Sequence, residues 1–401
     1  MKAIRSYMLA GVMAAGALFG HAQDANRSGY FLEGYTYRHA LNPALAPERN
    51  YVAIPVIGNF GVSAMSNVGV STFLYQSQAH PGQLTTFLNK EVSADEFLGK
   101  LGKNNKLNAR LGVNLFSFGF RGLGGYNTVN IGTRVEAGTN LPKDLFTFMK
   151  LGQTGPNTRY DFKNIRLKAS GYAEIALGHQ HKINKELSIG AKVKFLLGLA
   201  HLDANIKTMD VTLGHDKWAV RAQGEMSIGA GSGFYVPTNK ESGKELDKME
   251  KWNQIDYNGI EYNSFGLAGF GLGFDLGAVY DMSRFVDGLT LSASLLDLGW
   301  IGWNNAVKAR TPETSWEFSG FNEIAIMEDQ ESQGYKNLED QMEDMWDGLE
   351  DISSFEKVGN GGNTTALAAT FSLGAEYKMP FYNKLTGAFL FSTHIAGVQS
   401  W

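Results

Sequence analysis

Apolar and polar residues alternate along much of this chain, and the alternation is cleanest in the segment Phe265–Trp303. The apolar residues of its first half fall on even positions, namely Phe270, Leu272, Phe274, Leu276, Ala278 and Tyr280. Its second half places the apolar residues on odd positions, namely Leu289, Leu291, Ala293 and Leu295. A period of two is typical of β-strands, whose successive side chains point to opposite faces. The segment therefore predicts a β-hairpin with a turn at Asp281–Gly288.

The length of these strands helps to decide whether water or lipid surrounds them. A soluble strand averages about 5–6 residues, whereas a tilted strand that crosses a bilayer needs roughly 9–11. Tyr280, Trp300 and Trp303 stand near strand ends, where aromatic residues mark membrane interfaces. A soluble antiparallel sheet would show the same alternation. We favour an all-β fold, a transmembrane antiparallel β-barrel, over a soluble sandwich.

The same alternation recurs in three earlier segments of the chain, Phe162–Gly178, Leu187–Leu199 and Trp218–Ala230, with charges at the polar positions. In a barrel whose apolar residues face lipid, these charges face the lumen. The predicted lumen-facing charges are Arg134, Glu136, Arg166, Lys168, Glu174, Lys192, Lys194, Arg221 and Glu225. We interpret them as a ladder of neutralising, hydrated pairs, with a substrate track as the alternative.

Even positions stay apolar from Tyr51 to Tyr75, which predicts one long bent strand rather than two. This choice keeps the long loops on one side of the membrane, since outer-membrane barrels have short periplasmic turns and long outer loops. It gives about 11–12 strands here, out of about 14 in the full protein, because closed bacterial barrels have even strand numbers. We expect a barrel truncated after Trp401, with an N-terminal hatch and partly helical extracellular loops. Helices are predicted after Ser93 and at Pro142–Lys150.

The first residues form the pattern of a secretory signal peptide. Two basic residues precede an apolar stretch at Met8–Phe19, and small residues flank His21 just before Gln23. The stretch falls short of the roughly 20 residues of a membrane-spanning helix. We predict three regions: a signal peptide at 1–22, an N-terminal hatch segment at 23–50 and an outer-membrane β-barrel at 51–401. The expected location is the outer membrane, after export through the inner membrane.

Composition excludes several classes of function. The chain has no cysteine, so disulfides, thiol chemistry and a lipid-modified N-terminal cysteine are excluded. Its 48 glycines among 401 residues exceed the usual share of about 7%, which fits closely approaching strands. The formal net charge of −4 gives no reason to expect nucleic acid as a partner.

The sequence contains no recognisable catalytic or metal-binding motif. None of the eight histidines belongs to an HExxH or similar array, and no nucleophile elbow or phosphate-binding loop is present. We predict no enzymatic activity, no metal and no cofactor. A barrel lipid hydrolase that uses His394 and a nearby serine is an alternative that nothing in the sequence selects.

An irregular, polar region at Asp24–Asn50 precedes the first strand and contains Asn42, Pro43 and Ala44. These three residues resemble the Asn-Pro-Ala element in the N-terminal hatch of long-chain fatty-acid transporters of the outer membrane. A plain turn is the alternative, because Asn-Pro favours turn initiation and Pro43 disfavours the helical region for Asn42. The resemblance implies a hatch that lies inside the barrel.

A wider resemblance covers nearly the whole chain. Its segments are Tyr30–Phe60, Phe87–Leu101, Leu141–Gly152 and Ser294–Trp303. They resemble a family of Bacteroidota outer-membrane barrels catalogued only as a domain of unknown function. The resemblance implies a barrel distantly similar to the fatty-acid transporters and to secretion-associated barrels of the same phylum, and it implies no known activity.

Two long loops are predicted, at Gly233–Asn263 and Asn304–Thr365. The second carries fourteen Asp or Glu and one Lys between Glu313 and Glu356. Its apolar residues at three- and four-residue spacing are Leu338, Met342, Met345, Trp346, Leu349 and Ile352. This spacing predicts an amphipathic helix. We expect its apolar stripe to cover the barrel mouth, a protein partner or a hydrophobic ligand.

These features together favour the binding or passage of a hydrophobic small molecule at the outer membrane. The alternative is a scaffold or shuttle in protein secretion or surface assembly. Expected partners are the outer-membrane lipid, a hydrophobic ligand, and a protein at the extracellular loops.

Overall fold

The computed structural model describes residues 27–54, 60–243, 252–264, 266–312, 315–319, 340–342, 354–379 and 385–394. The predicted signal peptide and most of the predicted loop helix lie outside these residues. Antiparallel strands dominate the described residues, as the alternation predicted. The strands are β1 (Tyr51–Ala53), β2 (Phe60–Ser66), β3 (Leu74–Gln76), β4 (Leu84–Thr86), β5 (Asn104–Gly122), β6 (Gly125–Pro142), β7 (Asn157–Asp161), β8 (Ile165–Lys182), β9 (Leu187–Gly214), β10 (Trp218–Gly229), β11 (Phe234–Tyr235), β12 (Glu261–Tyr262), β13 (Gly269–Asp281), β14 (Leu289–Arg310), β15 (Ser315–Phe318), β16 (Glu356–Ala366), β17 (Thr370–Lys378) and β18 (Thr386–His394).

Fourteen of these strand segments form one sheet in the order β1-β5-β6-β8-β9-β10-β14-β17-β18. The other members are β2 on β5, β7 on β9, β15 on β10, β16 on β14, and β13 between β9 and β14. Strands that follow one another in the chain are mostly neighbours, as in a meander of hairpins. The sheet is antiparallel throughout its described pairings.

The prediction of one strand over Tyr51–Tyr75 is correct only in part. β1 and β2 both pair with β5 and follow one another along it. Beyond Ser66 the chain leaves the sheet, forms a 3-10 helix at Val70–Thr72, and builds a separate two-stranded sheet from β3 and β4. The period of two persists past the true strand end, and periodicity alone could not locate that end.

Short helices occupy the connections. They are α1 (Ala94–Gly99), α2 (Lys143–Leu151), α3 (Asn239–Ser242) and 3-10 helices at Arg27–Phe31, Thr36–Ala40 and Tyr257–Gly259. The predicted helix start at Ser93 is confirmed, since its side chain accepts a hydrogen bond from the backbone N–H of Glu96 at 3.1 Å. Phe97 of α1 and Phe146 of α2 pack into one aromatic cluster. In the part of the chain that the structure describes, no helix has the length and apolar character to cross a membrane.

The predicted hairpin is confirmed as β13 and β14, but a β-bulge interrupts it. The register shifts between Phe274 and Leu276, and Asp297 on the opposite strand has a positive φ of 56°. One extra residue moves every later side chain of β14 to the other face. Trp303 therefore lies buried on the polar face, stacked on His201 at 4.7 Å between ring centroids. The prediction that Trp303 marks a membrane interface is wrong, whereas Trp300 is exposed on the apolar face.

An ion pair shows how far the sheet curls. Nη1 of Arg134 on β6 lies 2.9 Å from Oδ2 of Asp297 on β14. Strands β8, β9 and β13 separate these two strands in the sheet. In a flat sheet four steps of about 4.8 Å would hold them about 19 Å apart, beyond the reach of the two side chains. The sheet is therefore strongly curled, and its polar face is concave.

The convex face is apolar and exposed over many neighbouring strands. Its exposed residues include Leu111, Ile131, Val135, Leu177, Val193, Phe195, Phe270, Phe274, Leu276, Leu291, Leu298, Trp300, Leu373, Phe389 and Phe391. The fraction exposed reaches 69% for Phe389. A contiguous apolar surface of this kind marks a site of contact with protein or membrane.

The same apolar face is covered where β9 and β10 extend beyond β13. Val236 and Ile255, from the connection after β10, pack on Met226 and Val307. Farther along, Tyr160 and neighbouring residues bury Val211, Val220 and Ala222, and the α2 residues Leu145 and Phe148 pack against this cluster. The chain thus covers its own apolar face at one end of the sheet and leaves it bare in the middle.

Candidate functional site

The described part of the hatch, residues 27–50, packs against the concave polar face. Asn42 is fully buried. Its Nδ2 donates to the carbonyl oxygens of Ala278 at 3.4 Å and Ala293 at 3.1 Å, and to the Tyr30 hydroxyl at 2.9 Å. Its Oδ1 accepts from the backbone N–H of Ala44 at 2.9 Å. One amide thus closes the turn of the hatch and ties that turn to both strands of the β13–β14 hairpin.

Two strand glycines form the seat for this turn. A side chain on Gly277 would collide with Oδ1 of Asn42, and one on Gly190 would collide with the backbone of Pro43. Glycine is needed where two backbones approach this closely. The predicted hatch residues Asn42, Pro43 and Ala44 therefore act as one docked unit.

Further hydrogen bonds extend the docking along β14. The Tyr30 hydroxyl donates to Oγ of Ser292 at 3.0 Å, and Oγ of Ser294 donates to the carbonyl oxygen of Leu41 at 3.0 Å. These partners lie more than 250 residues away in the sequence, so the contacts exist only in the folded chain. They satisfy polar groups that would otherwise be buried without partners.

His39 joins the hatch to β9. Nζ of Lys192 donates to Nδ1 of His39 at 3.0 Å. An ammonium group can only donate, so Nδ1 carries no proton and Nε2 donates to the Tyr51 hydroxyl at 2.7 Å. That hydroxyl in turn bonds Oγ of Ser117 at 2.7 Å. Burial, and secondarily the Lys192 ammonium, lowers the pKa of His39 well below its usual range.

Buried ion pairs brace the concave face beside the hatch. Arg134 contacts Glu174 at 3.3 Å in addition to Asp297. Nζ of Lys194 lies 2.7 Å from Asp275 and 2.5 Å from Asp297. Asp275 Oδ1 also accepts from the backbone N–H of Asp297 at 2.8 Å, which holds the bulge in place. Charges this deeply buried need partners of opposite sign, and this network supplies them.

The remaining predicted charges divide into two groups. Glu136 pairs with Arg110 at 2.9 Å, and Lys168 and Arg166 lie 3.2 and 3.5 Å from Asp203. These pairs fit the neutralising ladder that we expected from the sequence.

The other group is exposed. Arg221 and Glu225 on β10 are open to solvent, and Glu225 pairs with the exposed Lys207. Their part of β10 lies outside the braced region, because β10 flanks only the extended end of β9. The structure therefore does not bring Arg221 and Glu225 into the interior network.

A cavity of about 200 Å³ lies between the hatch and the concave face. Hatch residues Tyr30, Tyr37, Ala40 and Leu41 form one wall. The charged residues of the lining are Arg110, Arg134, Glu174, Lys192, Lys194, Asp275 and Asp297. Ser63 on β2 and Ser392 on β18, from opposite ends of the sheet order, line the same space. The cavity is thus bounded by the hatch and lined by charged residues, with apolar residues such as Leu41, Leu296 and Leu390 beside them.

Five residues of this site are not among those predicted from the sequence: Arg110, Asp275, Asp297, His39 and Tyr51. The strand pattern offered one clue, because Asp297 is an acid inside the apolar run Ser294–Trp303. His39 and Tyr51 gave no comparable clue, since their roles depend on contacts made only after the hatch docks.

Two other predictions concern the loops and metals. Met342 is partly exposed, and the other stripe residues, Leu338, Met345, Trp346, Leu349 and Ile352, lie outside the described residues. Among the residues that the structure describes, no group of three or more His, Asp or Glu side chains could hold a metal ion.

Comparison with known proteins gives one match. A family model described as a family of unknown function, DUF5723, matches residues 43–401. No curated protein and no solved structure matches the chain. The match begins at Pro43, within the docked turn of the hatch.

Proposed function

We propose that this chain, which belongs to the family of unknown function DUF5723, is a β-barrel of a bacterial outer membrane, exported by a cleaved signal peptide. The support is the distribution of polarity. Charged side chains such as Lys194 and Asp275 are buried on the concave face, whereas Phe195 and Phe274 are exposed on the convex face. In water both features are unfavourable, since charges are buried on the concave face and apolar side chains are exposed on the convex face. In a bilayer the apolar side chains of the convex face contact lipid instead.

The curl of the sheet supports closure into a barrel. Arg134 reaches across four strand steps to Asp297, and Ser63 and Ser392 from opposite ends of the sheet order line one cavity. A barrel leaves no unpaired edge in the hydrocarbon region, which is a condition for spanning strands. The covered apolar surface around Val236 and Tyr160 fits the part of the sheet that rises above the lipid.

Within this barrel we propose that the protein binds or passes a small molecule, with the hatch as its gate. The observation that carries the proposal is the cavity walled by hatch residues on one side and by the sheet on the other. A ligand in this space touches both. Movement of the hatch therefore changes access to the ligand.

The sequence favoured a hydrophobic ligand, whereas the charged residues in the lining of this cavity favour a ligand that carries polar groups. An apolar molecule would displace water from Arg110, Lys192 and Glu174 without offering hydrogen bonds in return. The hydrophobic ligand predicted from the sequence would need another surface, for which the apolar stripe of the acidic loop is our candidate.

Reconstitution tests the proposal. The purified chain should insert into liposomes, protect its strands from protease, and release an entrapped small solute faster when Asn42→Ala weakens hatch docking. Asn258→Ala, at an exposed position of the 3-10 helix Tyr257–Gly259, is the matched control and should leave release unchanged. A chain that stays monomeric in water without detergent would overturn the barrel. Equal release from the parent and Asn42→Ala chains would overturn the gate.

The second candidate is a scaffold or shuttle in secretion or surface assembly. The observation favouring it is that Arg134, Lys194 and the docked hatch brace the concave face, which stiffens the barrel and narrows its lumen. Replacing Trp346 and Leu349 together by Ser should then reduce cross-linking to a surface partner, while Val358→Ser should not. Unchanged cross-linking in the double variant argues against this role for the loop.

A further inference from the structure

Arg110 lines the cavity, and its guanidinium does not use all of its N–H donors. Its Nε lies 2.9 Å from Oε1 of Glu136. Its Nη2 is buried and has no hydrogen-bond partner among the described residues. Buried donors without acceptors are rare and unfavourable. Nη2 itself is inaccessible, but Arg110 lines the cavity, so the accessible part of its guanidinium can donate to water or to a ligand there.

Lys192 is a second cation on the same cavity. It is buried, and the hydrogen bond described for its ammonium goes to the imidazole of His39. The nearest carboxylates of the β13–β14 hairpin, Asp275 and Asp297, are engaged by Lys194 at 2.7 and 2.5 Å. One wall of the cavity thus offers positive charge that no described carboxylate fully satisfies.

We propose that this cavity binds a small polar carboxylate, with the carboxylate group held by Arg110. A guanidinium makes charge-assisted hydrogen bonds to carboxylate oxygens, which are shorter and stronger than neutral ones. Hydroxyl and amide groups of Ser63, Asn130 and Ser392 also line the space and suit a polar body. The inference rests on the proposed function, since it names the ligand class of the cavity that the hatch closes.

The volume of the cavity and the charge of its lining limit the class of ligand that it can bind. A cavity of about 150 Å³ in another protein holds benzene, so about 200 Å³ accommodates a molecule of three to six carbons on the same scale. Glu174, Asp275 and Asp297 also line the cavity and would repel a ligand with two or more negative charges. A hydroxylated monocarboxylate satisfies both limits.

Isothermal titration of the full chain in detergent tests the proposal, with lactate as the probe and lactamide as its uncharged analogue. We expect saturable binding of lactate and binding of lactamide weaker by about tenfold or more. Arg110→Gln should weaken lactate binding by a similar factor. Arg159→Gln is the matched control, because Arg159 is exposed and pairs with Asp210 at 3.0 Å away from the cavity, and it should bind lactate as the parent does.

A second variant covers the case in which Arg110→Gln fails to fold. Ser63 lies directly opposite Arg110 on the neighbouring strand and lines the cavity, so Ser63→Leu fills the space without removing any charge. It should abolish lactate binding while the thermal transition stays that of the parent. Equal binding of lactate and lactamide, or binding that survives both substitutions, overturns the proposal.

The outcomes separate this inference from the proposed function. If lactate does not bind but solute release still depends on Asn42, the ligand class is wrong and the gated barrel stands. If lactate binds and the chain never inserts into liposomes, the carboxylate site is supported and the proposed barrel is wrong.

Discussion

The Nζ atom of Lys192 donates a hydrogen bond to Nδ1 of His39 at 3.0 Å, and through this bond a strand of the sheet holds the hatch. The bond requires a neutral imidazole, because a protonated His39 would carry a hydrogen on Nδ1 and face an ammonium group. Hatch docking is therefore linked to pH through a residue outside the strands.

The first prediction concerns this linkage. In an undocked hatch the pKa of His39 is about 6.5, and in the docked hatch burial, with Lys192 second, lowers that pKa. The undocked state therefore binds more protons at acidic pH. Docking should be fully favourable above about pH 6.5 and should weaken below it, by up to about 1.4 kcal/mol per pH unit.

Protease cleavage of the hatch as a function of pH measures this effect. Cleavage should accelerate below about pH 6.5 in the parent chain, and His39→Gln should flatten the profile. His215→Gln, in an exposed turn between β9 and β10, is the control and should keep the parent profile. A profile that survives His39→Gln would assign the pH dependence to another group.

The second prediction tests the glycine seat of the hatch. Gly277→Ala places a methyl group against Oδ1 of Asn42 and should undock the turn, whereas Gly112→Ala, on β5, meets open space. We expect a large rise in hatch proteolysis for the first variant and none for the second. Equal protease resistance of the two variants would show that the hatch tolerates displacement at Gly277.

The third prediction tests the proposal that the convex apolar face contacts lipid. Phe274→Arg should destabilise the membrane-inserted chain by about 2–4 kcal/mol, the cost of a basic residue near the bilayer midplane. Val358 is 62% exposed on β16, which pairs with the extended end of β14, so Val358→Arg should be nearly neutral. Urea unfolding from liposomes measures both. Similar free energies of unfolding for the two variants would show that the surface around Phe274 does not lie in a membrane.

The fourth prediction concerns the buried ion network. Arg134→Met leaves Glu174 and part of Asp297 without their partner and should cost about 3–5 kcal/mol. Lys217→Ala breaks an exposed pair with Glu317 and should cost no more than about 1 kcal/mol. Denaturant midpoints compare the two. A small effect of Arg134→Met would mean that Lys194 alone neutralises Asp297.

The sequence by itself determined the class of fold, because the period of two is a local property of strands. The β13–β14 hairpin, the helix start at Ser93 and the strands around β8 and β9 all follow from that pattern or from local capping chemistry. The parity of charges such as Lys192 and Lys194 also set them apart from the apolar positions of their strand, and both side chains are buried in the structure.

The tertiary structure alone decided which of these residues form a site. One extra residue at Asp297 reversed the faces beyond it and moved Trp303 into the interior, and a single insertion leaves no trace in a pattern that tolerates exceptions. The docking of Asn42 on Ala278 and Ala293 joins residues more than 230 positions apart. Such contacts depend on how far the sheet curls, and curl is a sum over many strand pairings that no local stretch of sequence encodes.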